Sequence, residues 1–190
     1  MCVGGGALCV YLFYIHIASF VDVYTITDTA LDHRQSISIL PPGSSPADFR
    51  GDTLRLSPPT PRSPTPTHLF ATTRGAHTSH KGFLAVFAVL PSGLLDAAAS
   101  KTERWQTPTS GGKANAIEVR SKAPRGGRGG DGAGGADGVW VVLTDDEPGK
   151  GGVWVLEWDG EGTGGVRVVA EWSGERGESM DGASHAVWLD

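Results

Sequence analysis

The chain has 190 residues, with 28 glycines, 12 prolines and six tryptophans, and its formal net charge is −5. A chain of this length has room for one ordinary domain, and the tryptophans favour a packed core over disorder. Because the charge balance is acidic, we expect neither nucleic acid nor a membrane surface as a partner.

The first apolar run, residues 7–20, is too short to span a bilayer as a helix. Its aromatic and β-branched residues favour a buried strand. A cleaved signal peptide is the weaker alternative, since the first lysine or arginine is Arg34. We therefore expect a cytoplasmic protein in which residues 1–19 contribute a strand. The two cysteines, Cys2 and Cys9, are too few and too close together for a disulfide framework.

Short runs of β-forming residues continue along the whole chain, whereas helical periodicity is almost absent. The predicted strands lie near residues 10–17, 20–27, 35–40, 52–57, 68–73, 82–90, 103–107, 114–119, 139–144, 152–158, 165–172 and 185–189. These runs recur in groups of four, and groups of four short antiparallel strands are typical of β-propeller blades. The pattern predicts an all-β fold of about three blades over residues 20–190, with residues 1–19 adding a strand to a partial blade.

Two low-complexity stretches interrupt these groups. One, at residues 57–67, is rich in proline and the other, at residues 121–138, is rich in glycine. Each falls between the first and second strands of its group, where a solvent-facing hairpin tolerates extra length. We therefore interpret both stretches as inserts on one face of the fold.

The opposite face is the expected place for a functional site. Successive hairpins of an antiparallel blade alternate between two faces, which separates the remaining loops from the inserts. The loops assigned to this face lie at about residues 41–51, 72–82, 107–113, 144–152 and 173–184, and the middle three are dense in polar residues.

Several motifs have a more ordinary interpretation. His77 and His80 lack a third clustered metal ligand, and residues 145–147 are favoured as solvated turn carboxylates over a Ca²⁺ site. For the Arg-Gly-Gly repeats at residues 125–130, we favour a flexible loop over an RNA-binding tract. We expect no metal and no cofactor. The tryptophans expected to pack between blades are Trp140, Trp154, Trp158, Trp172 and Trp188.

A set of short segments occurs in the order found in one known family. The segments are residues 21–24, 49–52, 69–74, 81–83, 107–112, 115–116, 143–146 and 186–190. On these segments, residues from about 20 to 190 resemble the C-terminal part of the fungal carboxy-cis,cis-muconate cyclases. Those enzymes lie within the wider seven-bladed lactonase propeller family, which includes 6-phosphogluconolactonase.

The resemblance implies a cycloisomerase, an intramolecular lyase that acts in aromatic catabolism on 3-carboxy-cis,cis-muconate. A substrate carboxylate adds across a conjugated double bond and gives a lactone without metal or cofactor. Such a site needs cations for a polycarboxylate and a proton donor for the carbon that becomes carbanion-like. Arg74 matches the family's Arg after the second strand and is the expected carboxylate clamp. Lys113 and Arg50 are secondary candidates.

The resemblance also implies an acid/base His, a further Arg and a Glu in earlier blades. The first two have no counterpart here, and the Glu position falls near His16 or Ile17. We therefore assign no catalytic residue and expect this chain to be inactive alone. A non-catalytic propeller remnant or protein-binding module, and a lactone hydrolase of the 6-phosphogluconolactonase type, stay open as alternatives. Open blade edges also predict self-association.

Overall fold

The computed structural model describes residues 19–60, 63–98, 102–122, 138–160, 165–173 and 183–189, together with the backbone of residues 8–13. These ranges form strands joined by loops and one 3-10 turn, Pro46–Asp48. The strands are β1 (Leu8–Phe13), β2 (Phe20–Ile26), β3 (Leu31–Ser38), β4 (Phe49–Leu56), β5 (His68–Gly75), β6 (Phe83–Ala88), β7 (Glu103–Gln106), β8 (Asn115–Ser121), β9 (Val139–Asp145), β10 (Gly152–Trp158) and β11 (Val166–Ser173).

The strands form three open antiparallel sheets, in each of which every strand pairs with its neighbours in sequence. The sheet orders are β1-β2-β3, β4-β5-β6-β7 and β11-β10-β9-β8. The predicted all-β fold of antiparallel blades is therefore confirmed, with two sheets of four strands and one of three. Within the described ranges, no helix has the length and apolarity needed to cross a bilayer.

The middle sheet is buried on both faces, which explains why every residue of β6 is apolar and why residues 69–73 of β5 are all buried. On β5, Leu69 and Ala71 face the first sheet, while Phe70 between them faces the third. The layer between the first two sheets contains Val21, Val23, Ile39, Leu69, Ala71, Ala85, Phe87 and Leu95. The layer between the last two sheets contains Phe70, Leu84, Val86, Ile117, Val139, Val141, Leu143, Trp154, Leu156 and Trp158.

Trp158 is one of two tryptophans in the second layer and is fully buried. Its ring meets that of Phe70 edge-on at 5.5 Å and lies 4.5 Å from the imidazole of His68. Its indole Nε1 donates a hydrogen bond of 2.7 Å to Glu103 Oε2. The prediction of tryptophans between blades is confirmed for Trp158 and for Trp154.

The same prediction is wrong for Trp172, whose side chain is 51% exposed. Trp172 lies on β11, the edge strand of the third sheet, which is the last sheet in the described part of the chain. Val168 and Val169 on the same strand are also exposed. Self-association through open blade edges stays a prediction.

The predicted strand at residues 185–189 is wrong, because residues 183–189 adopt no regular secondary structure. Side chains hold this segment near β8: Trp188 Nε1 donates to Glu118 O at 3.3 Å, and Arg120 Nη1 donates to Leu189 O at 2.9 Å. A strand requires backbone pairing with a neighbour, and side-chain bonds do not provide a ladder.

Both low-complexity inserts have a closed base. Ser57 Oγ accepts the backbone N–H groups of Thr67 and His68, at 3.0 and 3.1 Å, where residues 57–67 connect β4 to β5. Lys122 N donates to Gly138 O at 3.1 Å where residues 122–138 connect β8 to β9. Residues 61–62 and 123–137 lie outside the described part of the chain.

We expect Trp158→Ala to lower the free energy of unfolding by about 3–5 kcal/mol, because it leaves a cavity between two sheets. The matched variant Trp172→Ala removes an equally large but half-exposed ring and should cost about 1 kcal/mol or less. Urea denaturation followed by far-UV circular dichroism measures both. Equal losses in the two variants would contradict the layer arrangement.

Candidate functional site

Three loops and one turn meet at one end of the sheets. Gly75 N donates to Ser110 O at 2.7 Å, which joins the end of β5 to the connection between β7 and β8. Ala76 N donates to Asp48 O at 2.7 Å, and Ser110 N donates to Glu147 Oε2 at 2.8 Å. The prediction that these loops share a face opposite the inserts is confirmed, while residues 174–182 lie outside the described part of the chain.

The connection between β7 and β8 is a tight turn whose backbone N–H groups bind carboxylates. Gly111 and Gly112 both have positive φ angles, 88° and 55°, and successive N–H groups in such a turn point into one concavity. Asp146 Oδ1 accepts the N–H groups of Lys113 and Ala114, at 2.5 and 2.9 Å. The protein thus fills its own anion-binding turn.

Asp145 and Glu147 are buried hydrogen-bond acceptors, so the interpretation of residues 145–147 as solvated turn carboxylates is wrong for these two; Asp146 is partly exposed. Asp145 and Glu147 are 0% and 3% exposed. Asp145 accepts a short hydrogen bond from Thr109 Oγ1, and Glu147 Oε2 accepts from Ser110 Oγ at 2.7 Å. These two side chains therefore accept hydrogen bonds inside the protein and do not point into solvent.

The two buried carboxyls have pKa shifts of opposite sign. Burial raises the pKa of Asp145, and the hydrogen bond from Thr109 only partly offsets it. For Glu147, burial also acts to raise the pKa, but the bonds from the Ser110 hydroxyl and N–H outweigh it and hold the pKa below its usual range. Hydrogen bonds to the charged form stabilise that form.

Arg74 lies at the centre of this arrangement, at the end of β5. Its Nη1 donates to Gly112 O at 3.1 Å, and its Nε lies 4.0 Å from Asp52 Oδ2. The side chain is half-buried. The expected carboxylate clamp is therefore held on two sides by the turn and by an acid.

Asp52 and Asn115 complete the cluster, and residue patterns alone did not single out either as a functional group. Asp52 Oδ2 accepts the backbone N–H of Asn115 at 2.5 Å. Burial raises the pKa of Asp52, although the Asn115 N–H and the Arg74 charge act to lower it. Both residues stand in segments that carry the family resemblance, which was the available signal. No signal in the sequence indicated that Asp52 and Asn115 contact each other across two sheets.

The other two predicted cations lie in different places. Lys113 is exposed at the tip of the turn. Arg50 is the cross-strand partner of Arg74, but its Nη1 donates to Ala47 O at 3.1 Å and to Phe49 O at 2.8 Å. The structure therefore brings Arg74 and Lys113 to the same turn, whereas the Arg50 guanidinium bonds to the backbone just before it, at Ala47 and Phe49.

An open cleft of about 390 Å³ lies over this turn. It is lined by Gly75, Ala76, His77, Thr78, Ser110, Gly112, Lys113 and Pro148. The rings of His77 and His80 lie 6.3 Å apart, and the His80 Nε2 is 4.0 Å from Asp48 Oδ2. Among the described residues, no three His, Cys, Asp or Glu side chains form a group suited to a metal ion.

We expect Glu147→Gln to destabilise the protein by about 1.5–3 kcal/mol near neutral pH, because Ser110 loses a charged acceptor. Since the folded-state pKa of Glu147 lies below its ordinary value of 4.5, this contribution is present above that value and is lost as the pH falls through the folded-state pKa. The difference in unfolding free energy between wild type and variant, measured by urea denaturation across acidic pH, should shrink accordingly. A difference independent of pH would contradict the assignment.

Gly111→Ala tests the turn against a matched glycine. A Cβ at Gly111 would lie 2.8 Å from Asn115 Cβ and 2.9 Å from Arg74 Cβ, whereas nothing lies within 4 Å of one at Gly149. Both positions have positive φ, so Gly149→Ala should cost about 1 kcal/mol from backbone strain alone. Gly111→Ala should cost at least about 1 kcal/mol more in thermal or urea unfolding. Equal costs would show that the turn is not closely packed.

No family model matches the chain. Over 133 residues, which is 70% of the chain, it is 33% identical to muconate cycloisomerase 1 of Cutaneotrichosporon cutaneum, and it spans 31% of that relative's length. A solved Bacteroides uniformis chain described as a 6-phosphogluconolactonase is similar with a TM-score of 0.47 and 16% identity, over 87% of this chain and 37% of that one. The sequence is therefore distantly related to a muconate cycloisomerase.

Proposed function

We propose that this chain binds 3-carboxy-cis,cis-muconate and has the substrate-binding role of a cycloisomerase that lactonises it. The observation that carries the proposal is Arg74, a half-buried guanidinium that donates to Gly112 O, because Gly112 and Lys113 line the open cleft. The distant relationship to a muconate cycloisomerase supports it.

The guanidinium of Arg74 retains donor capacity for a ligand. Its Nε faces Asp52 and its Nη1 donates to Gly112 O. Its Nη2 has no hydrogen-bond partner in the part of the chain that is described. Arginine presents its donors in a planar fork that matches a carboxylate, so one substrate carboxylate docks on this edge. Lys113, at the turn tip, supplies a second positive charge for another carboxylate.

The proposed chemistry explains why cations are needed. When one substrate carboxylate adds to the double bond, negative charge develops on the neighbouring carbon and on the carboxylate conjugated with it. A guanidinium fixed against that carboxylate stabilises the developing charge. Because the acid/base His and Glu implied by the resemblance have no counterpart in this chain, we propose binding without turnover for this chain alone.

Arg74→Gln should weaken binding of 3-carboxy-cis,cis-muconate by about tenfold to a hundredfold, since a charge-assisted pair is lost. Arg74→Lys should retain part of the affinity, because it keeps the charge but loses the fork. Arg34→Gln, on β3 of the first sheet, removes the same charge and should change the dissociation constant by less than about twofold. Isothermal titration calorimetry measures all four proteins, and an equal effect of Arg34→Gln would contradict a specific clamp.

The same preparations test turnover by loss of the diene absorbance of the substrate. We expect none with this chain. Rapid lactonisation would contradict binding without turnover, and hydrolysis of an added lactone would favour the hydrolase alternative. Failure of the folded wild type to bind any polycarboxylate would favour a non-catalytic propeller remnant.

A further inference from the structure

Asp52 occupies an irregular position in β4. The β4–β5 pairing is regular up to Gly51, opposite Thr73, and resumes at Leu54, opposite Ala71. Asp52 and Thr53 thus lie opposite the single residue Thr72, whose Oγ1 accepts the Thr53 N–H at 3.1 Å. An extra residue of this kind forms a β-bulge, which redirects the side chain at that point.

The redirected side chain connects two sheets at the proposed site. Asp52 Oδ2 accepts the N–H of Asn115, the first residue of β8, and lies 4.0 Å from Arg74 Nε. Asn115 is fully buried, and its Nδ2 donates to Thr73 O at 2.9 Å. Its Oδ1 is a buried acceptor with no hydrogen-bond partner. This polar cluster is thus short of donors, and a further negative charge beside it is costly.

The groups that face Asp52 come from four elements. Arg74 of β5 favours its charged form and Asp146 of the β9–β10 loop disfavours it. His185 of the C-terminal segment and the Asn115 N–H of β8 favour the charged form. Burial is the largest influence and raises the pKa of the Asp52 carboxyl above its ordinary value of 3.8. The carboxyl therefore holds its proton at a higher pH than an exposed aspartate does.

We propose that Asp52 is a positioning residue that competes with a bound polycarboxylate for Arg74, so that ligand binding is coupled to protonation of Asp52. This inference rests on the proposed function, since it requires a polycarboxylate on Arg74. As a carboxylate, Asp52 holds the guanidinium at Nε and offsets its charge. As a neutral acid, it leaves the full charge of Arg74 to the ligand.

The direction of the pH dependence follows from linkage. A ligand carboxylate on Arg74 adds negative charge near Asp52 and draws the guanidinium away from it, so the pKa of Asp52 is higher in the complex than in the free protein. Binding then takes up a proton at any pH between these two pKa values. Within that interval the affinity falls as the pH rises, by at most about tenfold per pH unit.

The test is calorimetric titration of 3-carboxy-cis,cis-muconate into the full chain, in buffers of different ionisation enthalpy, from the ordinary aspartate value of 3.8 up to about pH 8. Wild type should take up a fraction of a proton on binding. Asp52→Asn, whose amide cannot titrate, should lose this uptake and bind about tenfold more tightly at the upper end of the range, because a competing charge is gone. Asp96→Asn is the matched control, since Asp96 N donates to Ala88 O at the opposite end of the middle sheet. It should behave as wild type.

The outcomes separate this inference from the proposed function. Equal proton uptake by wild type and Asp52→Asn, or weaker binding by folded Asp52→Asn, overturns the role of Asp52 and leaves ligand binding at Arg74 intact. Absence of binding by both proteins at every pH overturns the proposed function and this inference with it. If Asp52→Asn does not fold, carboxyl ¹³C NMR of wild type decides, because the titration midpoint of Asp52 must rise when ligand is added. An unchanged midpoint overturns the inference.

Discussion

The site depends on one interaction: the Asp146 and Glu147 carboxylates accept hydrogen bonds from the turn that contains Gly111 and Gly112. The two carboxylates accept four hydrogen bonds from residues 110–114. These bonds attach the β9–β10 loop of the third sheet to the connection between β7 and β8. The same turn supplies the Gly112 carbonyl, which accepts a hydrogen bond from Arg74 Nη1. The position of the Arg74 guanidinium therefore depends on Asp146 and Glu147, through the turn that they hold, as well as on Asp52.

The electrostatics of the cluster follow from what each acid accepts. Glu147 has both a hydroxyl and an N–H donor and is stabilised as an anion, whereas Asp52 has one N–H donor and an arginine at 4.0 Å and is penalised by burial. Two acids at this end of the sheets thus have pKa shifts of opposite sign. Groups with shifted pKa values cluster at functional sites.

The sequence predicted the strands well because their signals are local. Alternating or continuous β-formers marked β2, β5, β6, β9 and β10 within a few residues, and the loops of one face were deduced from hairpin alternation. The burial of Asp145 and Glu147 was not predictable, because their donors lie more than 30 residues away in sequence. For the same reason, the contact between Asp52 and Asn115 was missed. Residues 185–189 and Trp172 were misjudged because their β-forming composition says nothing about whether a neighbouring sheet is present.

The hydrogen bonds at the bases of the two inserts have a consequence for the evolution of insert length. Ser57 Oγ accepts hydrogen bonds from Thr67 and His68 at the base of one insert. The bond between Lys122 N and Gly138 O closes the base of the other. These bonds join residues at the two ends of each insert. Replication slippage in repetitive proline or glycine codons can therefore lengthen or shorten either tip while the sheets stay in register, which makes these two places tolerant sites for grafting a fluorescent reporter.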